Sequence, residues 1–136
     1  MNDVIKLKDQ YYIRASSSLA DGRTEVLKQG ETFAVFDRYG DIHQVLPGPQ
    51  GLYHEGTRFL SRFELSLGAQ RPMLLSAMVK EGNALVRIDL TNPDLMLDEQ
   101  RLVPRGTLHL CRTRFLWEGT CYERIRVHNY GTRTFP

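Results

Sequence analysis

The sequence predicts an all-β fold, an antiparallel β-sandwich of the supersandwich type, and three observations carry this prediction. Short runs rich in β-branched and aromatic residues recur between glycine, proline, asparagine and aspartate, which is typical of strands joined by turns. The segment Thr107–Tyr130 reads as one long hairpin around Glu118-Gly119. The chain has 136 residues, which favours a single domain that buries about two-thirds of its unfolded surface.

The first half of the chain predicts a series of short strands. The candidates in order are Gln10–Ala15, Thr24–Lys28, Glu31–Asp37 and Ile42–Leu46. Leu46–Gly51 holds two prolines and two glycines, so we expect a loop there rather than a central strand. Arg58–Leu67 alternates between apolar and polar residues, which predicts a long amphipathic strand. Its apolar face would consist of Phe59, Phe63, Leu65 and Leu67.

The middle of the chain predicts a second hairpin and one short helix. Met73–Val79 and Ala84–Leu90 flank Glu81-Gly82-Asn83, and this arrangement of apolar runs around a glycine turn is typical of a hairpin. Asn92-Pro93 then precedes a short run of mixed polarity. Because asparagine is a good N-cap and proline fits the first helical turn, a short helix is conceivable at this point.

The C-terminal hairpin has two different faces. With Glu118 and Gly119 as the loop, one face is mostly aliphatic and pairs Arg114 with Glu123, a contact worth about 0.2–1 kcal/mol across two strands. The other face carries rings, guanidinium groups and imidazoles, and we call it the aromatic–basic face. Its main members are Phe115, Trp117, Tyr122, Tyr130, Arg124, Arg126, His109 and His128. We expect the aliphatic face to lie on the core and the aromatic–basic face to meet a ligand, a partner or a neighbouring domain.

Charge is unevenly distributed although the net charge is only +2. Residues 1–100 carry 11 basic and 14 acidic residues, whereas residues 101–136 carry 7 arginines and 2 glutamates. We expect the late arginines to satisfy acidic groups elsewhere on the chain or on a partner, since arginine favours forked contacts with carboxylates. Nucleic acid is not an expected partner, because a strongly basic domain and a recognition motif are both missing.

The apolar runs and the cysteines indicate the cellular compartment of the protein and the redox state of its thiols. No apolar run reaches the length of about 18 residues that a membrane span needs, and the first ten residues lack the apolar segment of a signal peptide. Cys111 and Cys121 fall on opposite faces of the predicted hairpin, so a disulfide between them would require the strands to slip. Two free thiols without an export signal predict a cytoplasmic protein.

Motifs for catalysis, metal binding and cofactor binding do not occur in the chain. The four histidines lack the spacing of metal ligands, and no nucleophile elbow, phosphate-binding loop or dinucleotide fingerprint is present. We expect no cofactor and no metal; a zinc site from the paired histidines and Cys111 would be disfavoured by Arg126. An autonomous hydrolase acting through Glu55 or Glu123 is a weaker hypothesis, since turn and arginine-paired roles suit these residues better.

Two groups of residues are candidates for ligand contact. The first lies just after the glycine–proline loop and combines a ring with donors and acceptors: Tyr53, His54, Thr57 and Arg58. Hydrogen bonds that anchor the loop explain this group equally well. The second group is Trp117 and Tyr122, whose rings could stack on a sugar together with Phe115 and Tyr130. Cross-strand packing or a domain interface is the alternative explanation for the second group.

Several blocks of the sequence, taken in order, resemble one known family. The blocks are Gly51–His54, Thr57–Arg62, Leu90–Asp94, Arg112–Gly119, Tyr122–Arg124 and Asn129–Gly131. In order and spacing they are similar to the N-terminal domain of bacterial glycogen-debranching (amylo-α-1,6-glucosidase-like) enzymes, and the resemblance runs from about Tyr12 to the C-terminus. The family pattern carries an aspartate where this chain has Gly56, which puts in doubt an acidic contact from that position.

The resemblance implies a function for the chain. In that family a β-sandwich precedes an (α/α)6-barrel that holds the catalytic acids. The resemblance therefore implies that residues 1–136 are an incomplete N-terminal module of a longer enzyme, non-catalytic by itself, which packs on the barrel and contacts an α-glucan. The alternative is a self-associating structural domain with no carbohydrate role. It is favoured by the uneven charge and by Thr132–Phe135, which reads as the start of a strand whose edge a second copy would cover.

Overall fold

The computed structural model describes residues 4–7, 10–13, 24–43, 48–80 and 82–133, with side chains from residue 24 onward. These residues form twelve strands and contain no helix, so none of them forms a helix able to cross a membrane. The strands are β1 (Val4–Leu7), β2 (Gln10–Ile13), β3 (Glu25–Gln29), β4 (Thr32–Phe36), β5 (Gly51–His54), β6 (Thr57–Leu60), β7 (Met73–Val79), β8 (Leu85–Thr91), β9 (Leu95–Met96), β10 (Leu102–Val103), β11 (Leu108–Trp117) and β12 (Thr120–Asn129).

Two four-stranded antiparallel sheets form the body of the fold. The first sheet has the order β12-β11-β8-β7, and the second has the order β3-β4-β5-β6. Apolar side chains from both sheets form one core, among them Leu27, Phe36, Ile88, Leu110 and Leu116. β1–β2 and β9–β10 are separate small hairpins. The prediction of an all-β sandwich built from antiparallel strands is confirmed.

Strand predictions in the first half are confirmed for β2, β3 and β4, whereas β1 and β5 were not predicted. The strand expected at Arg58–Leu67 is wrong in its length, because β6 ends at Leu60 and Phe63 makes only an isolated bridge to Ile42. Phe59 is 69% exposed. The reason for the early end is tertiary: the N–H of Leu65 donates to Asp41 Oδ1 at 3.0 Å, which holds this segment against the loop after β4.

Some predicted segments fall partly outside the described residues. The strand expected at Ile42–Leu46 is described only at its start, where Ile42 forms its single bridge. Within the expected loop Leu46–Gly51, residues 48–50 are irregular and Gly51 already begins β5. Residues 14–15, which end the first predicted strand, lie outside the described part of the chain. Residues 134–136 do so as well, and they include the second half of Thr132–Phe135.

The short helix expected after Asn92-Pro93 is wrong, and the segment forms the β9–β10 hairpin instead. The Asn92 side chain does not cap a helix. Its amide donates to the carbonyls of Pro93 and Pro104 at 2.7 and 2.9 Å, and its Oδ1 accepts the N–H of Leu108 at 2.7 Å. Because both ends of the segment are tied to one buried side chain, the chain turns back on itself rather than coiling.

The C-terminal hairpin has the predicted register in all ten pairs, from Leu108 opposite Asn129 to Trp117 opposite Thr120. Leu110 and Leu116 are buried, as expected for the aliphatic face. On β12 the prediction is wrong, since Ile125 and Val127 share that face but are 41% and 57% exposed. β12 is the outermost strand of the first sheet, so its side chains have a neighbouring described strand on one side only.

The turn of this hairpin depends on left-handed backbone at Glu118 and Gly119, whose φ angles are 47° and 75°. Such a turn favours Asn-Gly. We expect Gly119→Ala to lower the free energy of unfolding by about 1–2 kcal/mol, because a Cβ is strained at this φ, and Glu118→Asn to raise it. Urea unfolding followed by circular dichroism measures both changes. Equal stability of all three proteins would contradict this assignment of the turn.

Candidate functional site

The aromatic–basic face lies on the outside of the first sheet, as the hairpin register predicted. Phe115 and Tyr122 are cross-strand partners whose rings stack at 4.7 Å with an interplanar angle of 14°. Trp117 lies next to the turn and is 56% exposed. Tyr122 is also exposed. Three large rings therefore form an exposed row at the turn end of the hairpin.

The other end of this face is polar and is organised around one carboxylate. His109 and His128 are opposite each other, as predicted, but His109 Nε2 lies 2.9 Å from Asp89 Oδ1 on β8. Asp89 also accepts hydrogen bonds from Arg87 and Ser76. Burial raises the pKa of Asp89, but the bonds from Arg87, His109 and Ser76 outweigh it and hold this pKa below its usual value. His109 thus belongs to a hydrogen-bonded polar group, whereas the ring of His128 lies against the ring of Tyr130 at 4.2 Å.

Tyr53 and Arg58 lie on the second sheet and are engaged by the loop that precedes β5. The Tyr53 hydroxyl donates to the carbonyl of Pro49 at 2.7 Å and accepts from Arg58 Nε at 2.9 Å, and Arg58 Nη2 donates to the carbonyl of Gly48 at 2.9 Å. The Tyr53 ring also stacks on Phe33 at 4.7 Å. Tyr53 and Arg58 therefore make hydrogen bonds that anchor residues 48–50, which is the alternative explanation that the sequence left open for this group.

His54 and Thr57 lie at the turn between β5 and β6, where they are paired in register. His54 Nδ1 lies 2.7 Å from Thr32 Oγ1. A Cβ placed on Gly119 would lie 3.7 Å from His54 Cε1, so the β5–β6 turn adjoins the turn of the C-terminal hairpin. The structure therefore brings His54 and Thr57 to the Trp117 end of the molecule. Tyr53 and Arg58 form the next pair along the same two strands, and their side chains hold the loop before β5.

A network of charged side chains lies inside the sandwich, and sequence analysis missed most of it. Arg112 and Arg114 project inward from β11 and are each 1% exposed. Glu123 Oε1 accepts hydrogen bonds from Arg112 Nε and from Arg114 Nη2, the latter at 2.9 Å. Arg112 Nη1 donates to Asp41 Oδ1 at 2.7 Å and to the carbonyl of Tyr39 at 2.9 Å. The predicted Arg114–Glu123 pair is confirmed, but it is a buried contact.

The loop after β4 completes this network with a second arginine site. Asp37, Asp41 and His43 place three ligand-type atoms within 4.8 Å of one another. Arg71 occupies the cation position among them, because its Nη2 contacts Asp37 Oδ2 and lies 3.1 Å from Asp41 Oδ2. His43 Nδ1 in turn lies 2.7 Å from Glu64 Oε1. A guanidinium group therefore pairs with both carboxylates of this cluster.

Burial disfavours the charged form of Arg112 and of Arg114, but the pKa of the two groups shifts in opposite directions. Burial lowers the pKa of Arg112, but its hydrogen bonds and charge contacts with Glu123 and Asp41 raise this pKa overall. For Arg114 burial prevails over the attraction of Glu123, and the pKa lies below its usual value. Arg112 Nη2 and Arg114 Nη1 are buried and have no hydrogen-bond partner among the described residues.

The sequence held one signal of this network. Arg112 and Arg114 occupy alternate positions on a strand face that also carries Leu110 and Leu116. Two arginines in an aliphatic stripe indicate buried ion pairs, because an unpaired buried charge is very costly. The acidic partners on the β4 loop are distant in sequence, so the stripe predicts that partners exist without identifying them.

Comparisons with known proteins agree with the resemblance found in the sequence. A family model described as the N-terminal domain of some glycogen debranching enzymes matches residues 27–136, a range that includes most of β3 and all of the strands after it. Searches of the curated proteins and of the solved structures found no match. Because the matched residues are most of the chain, this protein belongs to the family of N-terminal domains found in some glycogen debranching enzymes.

Proposed function

We propose that this chain is a non-catalytic module of a longer cytoplasmic debranching enzyme, which packs against a glucosidase barrel through its aromatic–basic face and contacts an α-glucan at the Trp117 end. The observation that carries the proposal is the exposed row of Phe115, Trp117 and Tyr122 on the outside of the first sheet. Large exposed apolar patches mark interaction sites in soluble proteins.

The chemistry of this face suits both proposed contacts. Exposed ring faces next to the hairpin turn can stack on the apolar face of a sugar ring, and His54 and Thr57 at the adjoining turn add polar groups within the same end of the molecule. Farther along β12, Arg124 and Arg126 are exposed. Their planar guanidinium groups can form forked contacts with carboxylates on a partner domain.

The positions of the candidate acids support a non-catalytic role. Arg112 and Arg114 hold Glu123 inside the sandwich, so its carboxylate belongs to the buried network of ion pairs. Glu55 lies at the β5–β6 turn with 74% of its side chain exposed. Glycoside hydrolysis requires two carboxyl groups that flank one bond at a defined separation. A buried arginine-bound acid and an exposed turn acid do not suit that arrangement.

Titration with maltoheptaose tests the glucan contact. Trp117 is the single tryptophan of the chain, so we expect its fluorescence to change as sugar binds. Tyr122→Ala should weaken binding by about tenfold, equivalent to about 1.4 kcal/mol, because one stacking ring is lost. Phe59→Ala is the matched control, since Phe59 is an exposed ring on β6 of the other sheet. If isothermal titration calorimetry detected no heat of binding at millimolar sugar, the glucan contact would be refuted.

The barrel contact is tested separately with a purified (α/α)6-barrel domain of a debranching enzyme. We expect the two proteins to co-elute in gel filtration and expect the double change Arg124→Glu with Arg126→Glu to abolish the complex. Glu31→Gln provides a control on an exposed residue of the turn between β3 and β4. Co-elution that survives the double change would place the contact on another face.

A further inference from the structure

A row of polar residues crosses the outside of the first sheet, next to the row of exposed rings. Thr113 on β11 lies opposite Arg87 on β8 and opposite Arg124 on β12. Because side chains alternate along a strand and both neighbours of Thr113, Arg112 and Arg114, are buried on the inner face, the Thr113 side chain points outward. Its two cross-strand partners lie on the same face, so one hydroxyl group is flanked by two arginines.

The spacing of these two arginines suits a small anion. Neighbouring strands lie about 4.8 Å apart, so Arg87 and Arg124, on either side of β11, have Cα atoms about 10 Å apart. With both side chains roughly perpendicular to the sheet, hydrogen bonds of about 2.9 Å from each side leave room for one tetrahedral ion above Thr113. The contact of the Thr113 hydroxyl with Cys111 Sγ is long, 3.9 Å, so this hydroxyl can donate to the ion. Arg87 is 52% exposed and Arg124 is exposed, so both are accessible from solvent.

A carboxylate holds Arg87 in place on this face. Nε and Nη2 of Arg87 each lie 3.3 Å from an oxygen of Asp89, so one edge of the guanidinium group is used and Nη1 lies outside this pair of bonds. Asp89 is itself fixed by the Ser76 hydroxyl at 3.1 Å and by His109 Nε2 at 2.9 Å. Because its side chain is already ordered, Arg87 loses less conformational entropy when an anion binds than a free arginine would.

The charges of this face favour an anion with two negative charges. Arg126 follows Arg124 on the same side of β12 and is exposed. These two arginines and Arg87 share the face with one carboxylate, Asp89, so the four side chains together carry an excess of two positive charges. A phosphate monoester carries a charge of about −1.5 to −2 at neutral pH, whereas a single carboxylate carries one. The planar fork of arginine also matches the oxygens of phosphate.

The stacked rings lie next to the arginine row, on the side of the hairpin turn. Phe115 follows Thr113 by two residues on β11, and Tyr122 precedes Arg124 by two residues on β12. Two residues along a strand correspond to about 7 Å. A hexose ring that stacks on Tyr122 can therefore reach the arginine row with a phosphate group on its exocyclic carbon.

We propose that the outside of the first sheet binds the phosphate monoester of a glucose unit. The sugar ring stacks on Phe115 and Tyr122, and the phosphate lies between Arg87 and Arg124, where both guanidinium groups and the Thr113 hydroxyl donate to its oxygens. The inference rests on the proposed contact of a sugar with the row of rings. Arg126 lies one row farther from the turn and is left for the partner domain.

Titration of the chain with inorganic phosphate, glucose and glucose 6-phosphate tests the proposal, followed by calorimetry and tryptophan fluorescence. We expect glucose 6-phosphate to bind at least tenfold more tightly than either other probe, because it makes both contacts at once. Arg87→Gln and Arg124→Gln should each weaken its binding at least tenfold. Arg101→Gln is the matched control, since Arg101 is 53% exposed and is paired with Asp98 as Arg87 is with Asp89.

The variant Tyr122→Ala separates the sugar contact from the phosphate contact. It should weaken the binding of glucose 6-phosphate about tenfold and leave the binding of inorganic phosphate unchanged. Glucose 6-phosphate that bound no more tightly than inorganic phosphate would assign the arginines to free phosphate and overturn the proposal. Binding that neither arginine change weakened would overturn it as well, because the phosphate would then lie elsewhere.

Two oligosaccharides identify the source of the ester and separate this inference from the proposed glucan contact. A maltoheptaose that carries one 6-phosphate and binds more tightly than glucose 6-phosphate would assign the ester to a glucan chain, and equal binding would assign it to a free sugar phosphate. If unmodified maltoheptaose bound and glucose 6-phosphate did not, the phosphate site would be wrong and the glucan contact would stand. Binding of glucose 6-phosphate that Arg124→Gln weakens, without binding of maltoheptaose, would support the site and refute the glucan contact.

Discussion

Glu123→Gln is expected to lower the free energy of unfolding by about 3–5 kcal/mol, the range for breaking a buried ion pair by removing one partner. Glu123 accepts hydrogen bonds from both Arg112 and Arg114. After the change Arg112 keeps its contact with Asp41, whereas Arg114 loses the carboxylate that contacts it and remains buried. Urea unfolding followed by circular dichroism measures the loss.

Two further variants test this account of Glu123. Arg114→Met should cost less than Glu123→Gln, because Glu123 then keeps Arg112 and the new side chain suits its apolar surroundings of Phe36 and Phe63. Glu31→Gln, on an exposed glutamate, should change stability little. If Glu123→Gln proved no more harmful than Glu31→Gln, the buried network would not stabilise the fold in the way described.

Asp41→Asn is expected to cost a similar amount, again about 3–5 kcal/mol. Asp41 Oδ1 accepts from Arg112 Nη1 and from the N–H of Leu65 at 2.7 and 3.0 Å, and its Oδ2 accepts from Arg71 Nε at 3.2 Å. An amide in its place has one acceptor oxygen and turns N–H groups toward a guanidinium group. Equilibrium unfolding in urea gives the size of the effect.

Amide hydrogen exchange gives the Asp41 prediction a second readout. Because Asp41 holds the segment after β6 in place, the N–H of Leu65 should exchange faster in Asp41→Asn, while amides within the β9–β10 hairpin should be unaffected. Asp98→Asn is the control, since Asp98 is an exposed carboxylate that only orders its own turn. Unchanged exchange at Leu65 would show that this segment is held by packing alone.

Ion pairs within the chain, one buried and one exposed, explain the uneven charge in part. Arg112 and Arg101 contact acids elsewhere in residues 1–100, Asp41 and Asp98, as expected for late arginines that satisfy acidic groups on the same chain. Arg124 and Arg126 differ, because they are exposed on the edge strand β12. The charged residues on the inner face of the hairpin therefore stabilise the fold, and the arginines on its outer face are available to partners.

Local patterns predicted the parts of the structure that depend on neighbours in the chain. The register of β11 and β12 followed from the Glu118-Gly119 turn, because a two-residue loop leaves one pairing of the strands. The ring row of the aromatic–basic face followed from the same register, because side chains alternate along a strand. Of the six candidate contact residues, four lie near the hairpin turn, namely His54, Thr57, Trp117 and Tyr122, and the neighbouring pair Tyr53 and Arg58 makes hydrogen bonds with the loop before β5.

The amino-acid pattern was enough to predict an all-β protein, a C-terminal hairpin in one register, and the side chains that share each of its faces. What each face meets depends on contacts between segments that are far apart in the chain. Arg112 and Asp41 are 71 residues apart in the chain, and no periodicity couples them. Their contact, the early end of β6 and the exposure of Val127 depend on how two sheets stack, since burial is a property of both sheets together.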